Sequence, residues 1–361
     1  MYLELKRFLK SIAFTFAIHG IAYSSTLVRG TISDSQVWDQ EHGPYLIEGN
    51  VFFTEGSSLT ITEGTAVEFR TGSRVYLVDT TFEAKGTKTH PIIVRGEGKI
   101  LMNDCHENDP GAICRQWNAG IDFRYIKMDS VRLYYTSSNL GRVQIDNSLI
   151  KAFDCEYCGT ISGEGPSSRI SSSQFSYLHL ARPNISLENV TANVINLGGK
   201  VYAKNLTCNS LRTNHEDLIL TNSRIETAVI VKGDLKNNEF GTLDLTWSNS
   251  TVAEYNVIGT LIVDNLAETD RLVVTNNNIG DQLEGGHALR VGSDYTDSKN
   301  VFLVSFPSNY WGSDITAKLI EHGADQNFPE VWDRRDDIAN YAVVDLSDWL
   351  SAPVPEAGPR P

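Results

Sequence analysis

Residues 46–69 read LIEGNVFFTEGSSLTITEGTAVEF, short apolar stretches separated by the pairs Glu48-Gly49, Glu55-Gly56 and Glu63-Gly64. Leu59-Thr60-Ile61-Thr62 alternates with period two, which puts Leu59 and Ile61 on one face of a strand bounded by turns. Tyr45, Ile47 and Val51 before it, and Val67 and Phe69 after it, extend the pattern. A further turn at Lys85-Gly86-Thr87 precedes Pro91-Ile92-Ile93-Val94, which reads as another strand. The segment is short strands wound edge to edge, not a helical domain.

The middle of the chain repeats one phrase: an apolar pair, one or two Asn or Ser residues, then an apolar residue. It occurs as VQIDNSLI to Ile150, RISSSQF to Phe175, ISLENV to Val190 and VYAKNL to Leu206. It returns as LILTNSRI to Ile225, DLKNNEF to Phe240, VAEYNV to Val257 and LVVTNNNI to Ile279. Those end residues are spaced 25, 15, 16, 19, 15, 17 and 22 apart. Second apolar pairs follow at Leu178/Leu180, Val229/Val231, Leu243/Leu245 and Leu261/Val263, so each turn carries at least two strands. Such a unit cannot bury its own apolar face and is stable only when stacked on copies. Asn suits the corners because it tolerates a left-handed backbone, and stacked amides form ladders along an axis. A β-sandwich also has frequent strands, but it would not need the same Asn phrase at every turn.

The ends of the chain carry a resemblance. Gly30-Thr31-Ile32, Trp38 and Gly43-Pro44-Tyr45 precede the opening stretch; Asn309-Tyr310-Trp311-Gly312, Ile320, His322-Gly323, Asp325, Asp336, Asp337 and Trp349-Leu350 close it. With these motifs the chain resembles bacterial right-handed parallel β-helix proteins of the pectin-lyase-like superfamily, over essentially its length beyond residue 24. The resemblance implies an all-β, single-stranded, right-handed parallel β-helix with short irregular rungs and a short C-terminal capping helix. It says little of activity, because that group spans adhesins, surface proteins and polysaccharide lyases; function must come from a site.

Lys6, Arg7 and Lys10 followed by an apolar stretch from Ile12 to Ala22, with Ala22-Tyr23-Ser24 at its end, read as a signal peptide over 1–24. The stretch is too short to span a bilayer, and no later segment reaches the ~18 apolar residues required. The expectation is an exported protein, extracellular, at the cell surface or periplasmic. The chain carries a formal charge of −14, and −16 without Lys6, Arg7, Lys10 and Glu4. Such a field repels nucleic acid and anionic lipid. Basic residues nevertheless gather at Lys99, Arg115, Arg124, Lys127, Arg132 and Arg142, either as a solvated face or as a groove for acidic sugar.

Five Cys in an exported chain suggest disulfides among Cys105, Cys114, Cys155 and Cys158, with Cys208 left over as a buried small apolar residue. The pairing stays open, since four Cys allow three connectivities. Zinc held by Cys155, Cys158, Cys105 and His106 is disfavoured by the spacing. No metal or other cofactor is expected.

Glycoside hydrolysis needs two carboxylates across the substrate, and lyase chemistry needs a base beside a group that neutralises a uronate. The groove candidates are Asp244, Asp264, Asp270-Arg271 and the phrase Gly285-Gly286-His287 with Arg290 and Asp294. A Gly-rich phosphate loop, a nucleophile elbow and an HExxH motif are not found in the sequence.

The expected organisation is a signal peptide at 1–24, an N-terminal cap and first rungs at 25–95, a disulfide-prone excursion at 96–145, repeating rungs at 146–306 and a cap at 307–350. In that cap Thr316 to His322 reads as a helix with Leu319 and Ile320 over the last rung, and 351–361 reads as a Pro-rich disordered tail. The expected function is a non-enzymatic structural, adhesive or glycan-binding role for a monomer that meets extracellular polysaccharide or a surface protein. The alternative is a polysaccharide lyase or glycoside hydrolase. An aromatic or polar stripe, to which Tyr134, Tyr135, Tyr157 and Tyr177 are candidates, would favour binding; clustered carboxylates, or a base with basic neighbours, would favour catalysis.

Overall fold

The computed structural model describes residues 25–360 apart from 79, 103–120, 136–142, 156–167, 182–183, 215–216, 247, 249, 265–270, 281–285, 293–301 and 339. Their strands form two long parallel sheets, of fifteen and twelve strands, and the chain alternates between them. Each strand therefore pairs with the strand one turn before and one turn after it, never with its neighbour in sequence. Parallel pairing needs a crossover connection, and here the crossover is the strand of the other sheet. The result is a parallel β-helix.

The buried positions show how a rung closes. Leu218, Leu220, Ser223, Ile225, Ala228 and Ile230 point inward, followed by Leu235, Asn238, Phe240, Leu243 and Leu245. Steps of two run along a side, because alternate residues of a strand share a face. Steps of three turn a corner. The longer sheet contains one of these corners, between Ile225 and Ala228 or between Phe240 and Leu243, so it covers two sides of the coil. Three sides of two inward residues make a rung as short as 15 residues, the distance from Ile225 to Phe240.

The register corrects three of the repeat positions read from sequence. The stacked column is Ile150, Phe175, Ala192, Cys208, Ile225, Phe240, Ile258 and Ile279. Val190 and Leu206 sit one inward position earlier, at the corner that Ser173 and Ser223 occupy in neighbouring rungs, and Val257 faces outward beside Ile258.

That corner is where Asn is used. Asn147, Asn189, Asn205, Asn222, Asn237 and Asn276 adopt φ between 48° and 57°, together with Tyr125, Ser172, Tyr255 and Ser308 near the same value. Asn reaches this region at low cost because its short polar side chain hydrogen-bonds locally. The backbone N–H of each then bonds the next rung, as Asn205 does to the carbonyl of Thr221 (3.1 Å).

The two ends are plugged. Trp38 is buried and stacks on Tyr45 with ring centroids 4.9 Å apart. At the other end Trp311 is fully buried against Phe306, and the helix Gly312–His322 lays Ile315 and Leu319 on the last rung. The helix begins four residues earlier than expected, and Ile320 points away from the core at 67% exposure. Asp333, almost fully buried, accepts N–H groups of Arg335 and Val344 and pairs with the Arg335 guanidinium, which binds the acidic run into the cap.

Residues 351–360 overturn the expectation of a tail that does not pack. The segment folds back toward earlier rungs: Val354 exchanges two hydrogen bonds with the Asn278 amide (2.7 and 3.2 Å), and Gly358 N–H bonds the carbonyl of Tyr255 (2.8 Å). Pro lacks a donor, yet the two N–H groups used belong to the residues that interrupt the prolines.

Candidate functional site

Outward residues of a solenoid face line up at the strand spacing of ~4.8 Å, so register decides which side chains act together. On the second half of the longer sheet, Phe52, Tyr76, Leu101 and Tyr134 occupy one column. Beside it run Asn50, Arg74, Lys99 and Arg132. Phe52 and Tyr76 stack with centroids 4.7 Å apart and planes 9° from parallel, and Phe52 is 42% exposed. Arg74 donates to the Tyr76 hydroxyl (3.2 Å), and Lys99 Nζ lies 5.4 Å from the centre of the Tyr134 ring. Leu101 interrupts the column, buried although at an outward position. Farther along the same face, Tyr177 lies beside His179, and its hydroxyl accepts a bond from Asn196 (3.3 Å).

Glu48 and Glu68, on the first half of these strands, pair with Arg70 and Arg95. The basic residues grouped by sequence are divided by the fold. Lys99 and Arg132 share one column, Lys127 projects from the first half of the sheet, and Arg124 lies on the other sheet with Asp122 (3.4 Å). Arg115 and Arg142 lie outside the described residues.

The groove candidates are also brought into register in part. Asp244, Ile262, Arg290 and Trp332 form one column. Asp264 pairs with Arg290 (3.6 Å), whose guanidinium lies 5.1 Å from the centre of the Trp332 ring. Asp264 also lies over Gly292, where an added Cβ would meet its Oδ1 at 2.3 Å, and Asp244 accepts the N–H of Thr246 (2.8 Å). Asp244 is thus engaged by the turn at Thr246 and Asp264 by Arg290. His287 is exposed, with Nδ1 3.0 Å from the carbonyl of Pro329. Asp294 lies outside the described residues, as do Asp270 and Gly285.

Cys105, Cys114 and Cys158 fall outside the described residues, as does Tyr157; Cys155 and Tyr135 are placed on strands by their backbone alone. Cys208 is buried, and that burial pushes its thiol up to about 12, which holds it in the unreactive protonated form. Among the described residues no group of His, Cys, Asp and Glu could hold a metal ion, and no helix is long and apolar enough to cross a membrane.

Sequence reasoning named Tyr134, Tyr177, Lys99 and Arg132 but passed over Phe52, Tyr76 and Arg74. The signal was the alternation itself: Phe52 lies between the inward Val51 and Phe53, Arg74 between Ser73 and Val75, and Tyr76 between Val75 and Leu77. Such a surface presents flat aromatic rings with cations beside them. Comparison with protein-family models, with curated proteins and with solved structures finds no match for this chain.

Proposed function

We propose that this chain is an exported, non-catalytic β-helix that holds a polysaccharide against the second half of its longer sheet. The observation that carries the reading is the stacked, partly exposed Phe52–Tyr76 pair with Arg74 and Lys99 in register beside it. Aromatic faces supply contact area at little entropic cost, and aromatic and Arg side chains dominate binding energy where they are clustered. A strand spacing of ~4.8 Å repeats the cations along the axis, which suits a polymer with acidic groups at intervals. The likeness to pectin-lyase-like β-helices and the leader-like residues 1–24 support an extracellular setting.

The test passes the purified protein over immobilised neutral and acidic polysaccharides while reducing ends and unsaturated uronate products are followed. Retention on an acidic polymer, released by salt, without product is expected. Tyr76→Ala should weaken retention about tenfold, ~1.4 kcal/mol. Product from any substrate would replace this reading with a lyase or hydrolase and direct attention to Asp244 and Asp264.

A further inference from the structure

Away from that face, the packed segment 351–360 ends in a cleft of about 470 Å³ against the first half of the longer sheet. Lys204, Arg224 and Arg360 all line it, with Thr207, Asn205 and Asn222 between them. The acids alongside are already engaged: Glu239 pairs with Arg224 (3.0 Å), and Glu188, in register with Lys204, pairs with Arg169 (2.9 Å). Lys204 and Arg360, with Arg224 held by Glu239 beside them, therefore border one space in a chain of net charge −14.

Two of them belong to the rungs, and Arg360 is brought to them. Prolines at 353, 355 and 359 restrict the backbone in advance and lower the entropic cost of ordering the segment. Asn278 then grips Val354 through both ends of its amide, and the Tyr255 carbonyl takes Gly358 N–H, two residues before Arg360. A guanidinium on a preset segment presents its donors with less loss of freedom than one on a loose chain.

We propose that this cleft is a binding site for an oxyanion, carboxylate or sulfate, completed by Arg360. Asn278, several rungs away, is a positioning residue for it. The site is separate from the Phe52–Tyr76 face and stands whether or not that face binds glycan.

The experiment titrates inorganic sulfate into the full protein at constant ionic strength, followed calorimetrically, for wild type, Lys204→Ala, Arg360→Gln, Asn278→Ala and, as a control on an exposed residue of the opening rungs, Val37→Ala. Saturable binding is expected, weakened at least fivefold by Lys204→Ala and Arg360→Gln and unchanged by Val37→Ala. Asn278→Ala should weaken sulfate binding as Arg360→Gln does, and in a protein already carrying Arg360→Gln it should weaken it no further. That non-additivity separates positioning from general loss of structure. Absence of saturable binding, or equal binding by Arg360→Gln, overturns the proposal. A sulfated or uronic disaccharide titrated in parallel distinguishes a sugar-borne from a free anion: tighter binding than sulfate assigns the former, equal binding the latter, and both support the site.

Discussion

Asn277 and Asn309, one turn apart, share a single oxygen: Oδ1 of Asn309 accepts the backbone N–H of Asn277 at 2.8 Å and its Nδ2–H at 3.0 Å. The same arrangement joins Asn238 to Asn256 and Asn256 to Asn277. Each amide also donates to a carbonyl of the preceding turn, Leu220 for Asn238, Leu235 for Asn256 and Val274 for Asn309. All four side chains are fully buried, so every donor and acceptor in the ladder depends on its neighbour.

Asn256→Ala would leave the backbone N–H and the amide of Asn238 without their acceptor and the carbonyl of Leu235 without this donor. Orphaned buried groups cost about 1–3 kcal/mol each, so a loss of about 3 kcal/mol is expected in denaturant unfolding. The control is Asn209→Ala, which removes an exposed amide bonded to Asn193 (2.8 Å) and should cost under ~0.5 kcal/mol. Equal shifts for the two variants would mean that the buried ladder contributes nothing special.

The residue before each ladder position answers to backbone rather than to burial. Asn222 has φ 52°, where a β-branched side chain is costly. Asn222→Val should destabilise by about 1–2 kcal/mol, whereas Asn222→Gly should stay within about 1 kcal/mol of wild type. Hydrogen exchange at the Asn205 and Asn222 amides, which bond the next rungs, is the direct readout. Faster exchange confined to that corner is expected for the Val variant; unchanged exchange would show that the corner does not require the left-handed residue.

These corners were legible in the sequence because their cause is local: an Asn between apolar pairs, a left-handed turn, a strand on each side. Val190 and Leu206 misled because the corner's step of three makes the residue just after it inward too, and an apolar side chain there imitates the start of the next strand. The Phe52–Tyr76 stack depended on register across 24 residues, which alternation alone does not supply. The packing of 351–360 was hidden for a different reason. Proline content argues against strands, but it does not forbid docking by the intervening N–H groups of Val354 and Gly358.

Cys208 offers a reporter for opening of the coil. Its thiol is 4% exposed and raised to about 12, so neither access nor ionisation favours alkylation in the folded state. Iodoacetamide labelling at Cys208, mapped by mass spectrometry, should be negligible in native buffer and rise with denaturant in step with loss of β structure. Cys208→Ser places a hydroxyl among apolar neighbours and should cost more than Cys208→Ala. Rapid native labelling would contradict a closed rung at this position.

The opening cap contains a pair whose pH dependence follows from geometry. Asp39 accepts the backbone N–H of His42 (2.8 Å) and lies 2.8 Å from its Nδ1. The backbone bond from His42 is the main cause that lowers the Asp39 carboxyl, and the side-chain bond with Asp39 is the main cause that raises His42. A raised His contributes below its unfolded value near 6.5 and loses that contribution as pH climbs through the folded value; a lowered Asp contributes above about 3.9 and loses it on acidification. The pair is therefore strongest between roughly pH 4 and 6.5. An NMR titration of the His42 ring should give a midpoint above 6.5, returned toward it by Asp39→Asn, and a midpoint unmoved by that substitution would show that the pairing does not hold in solution.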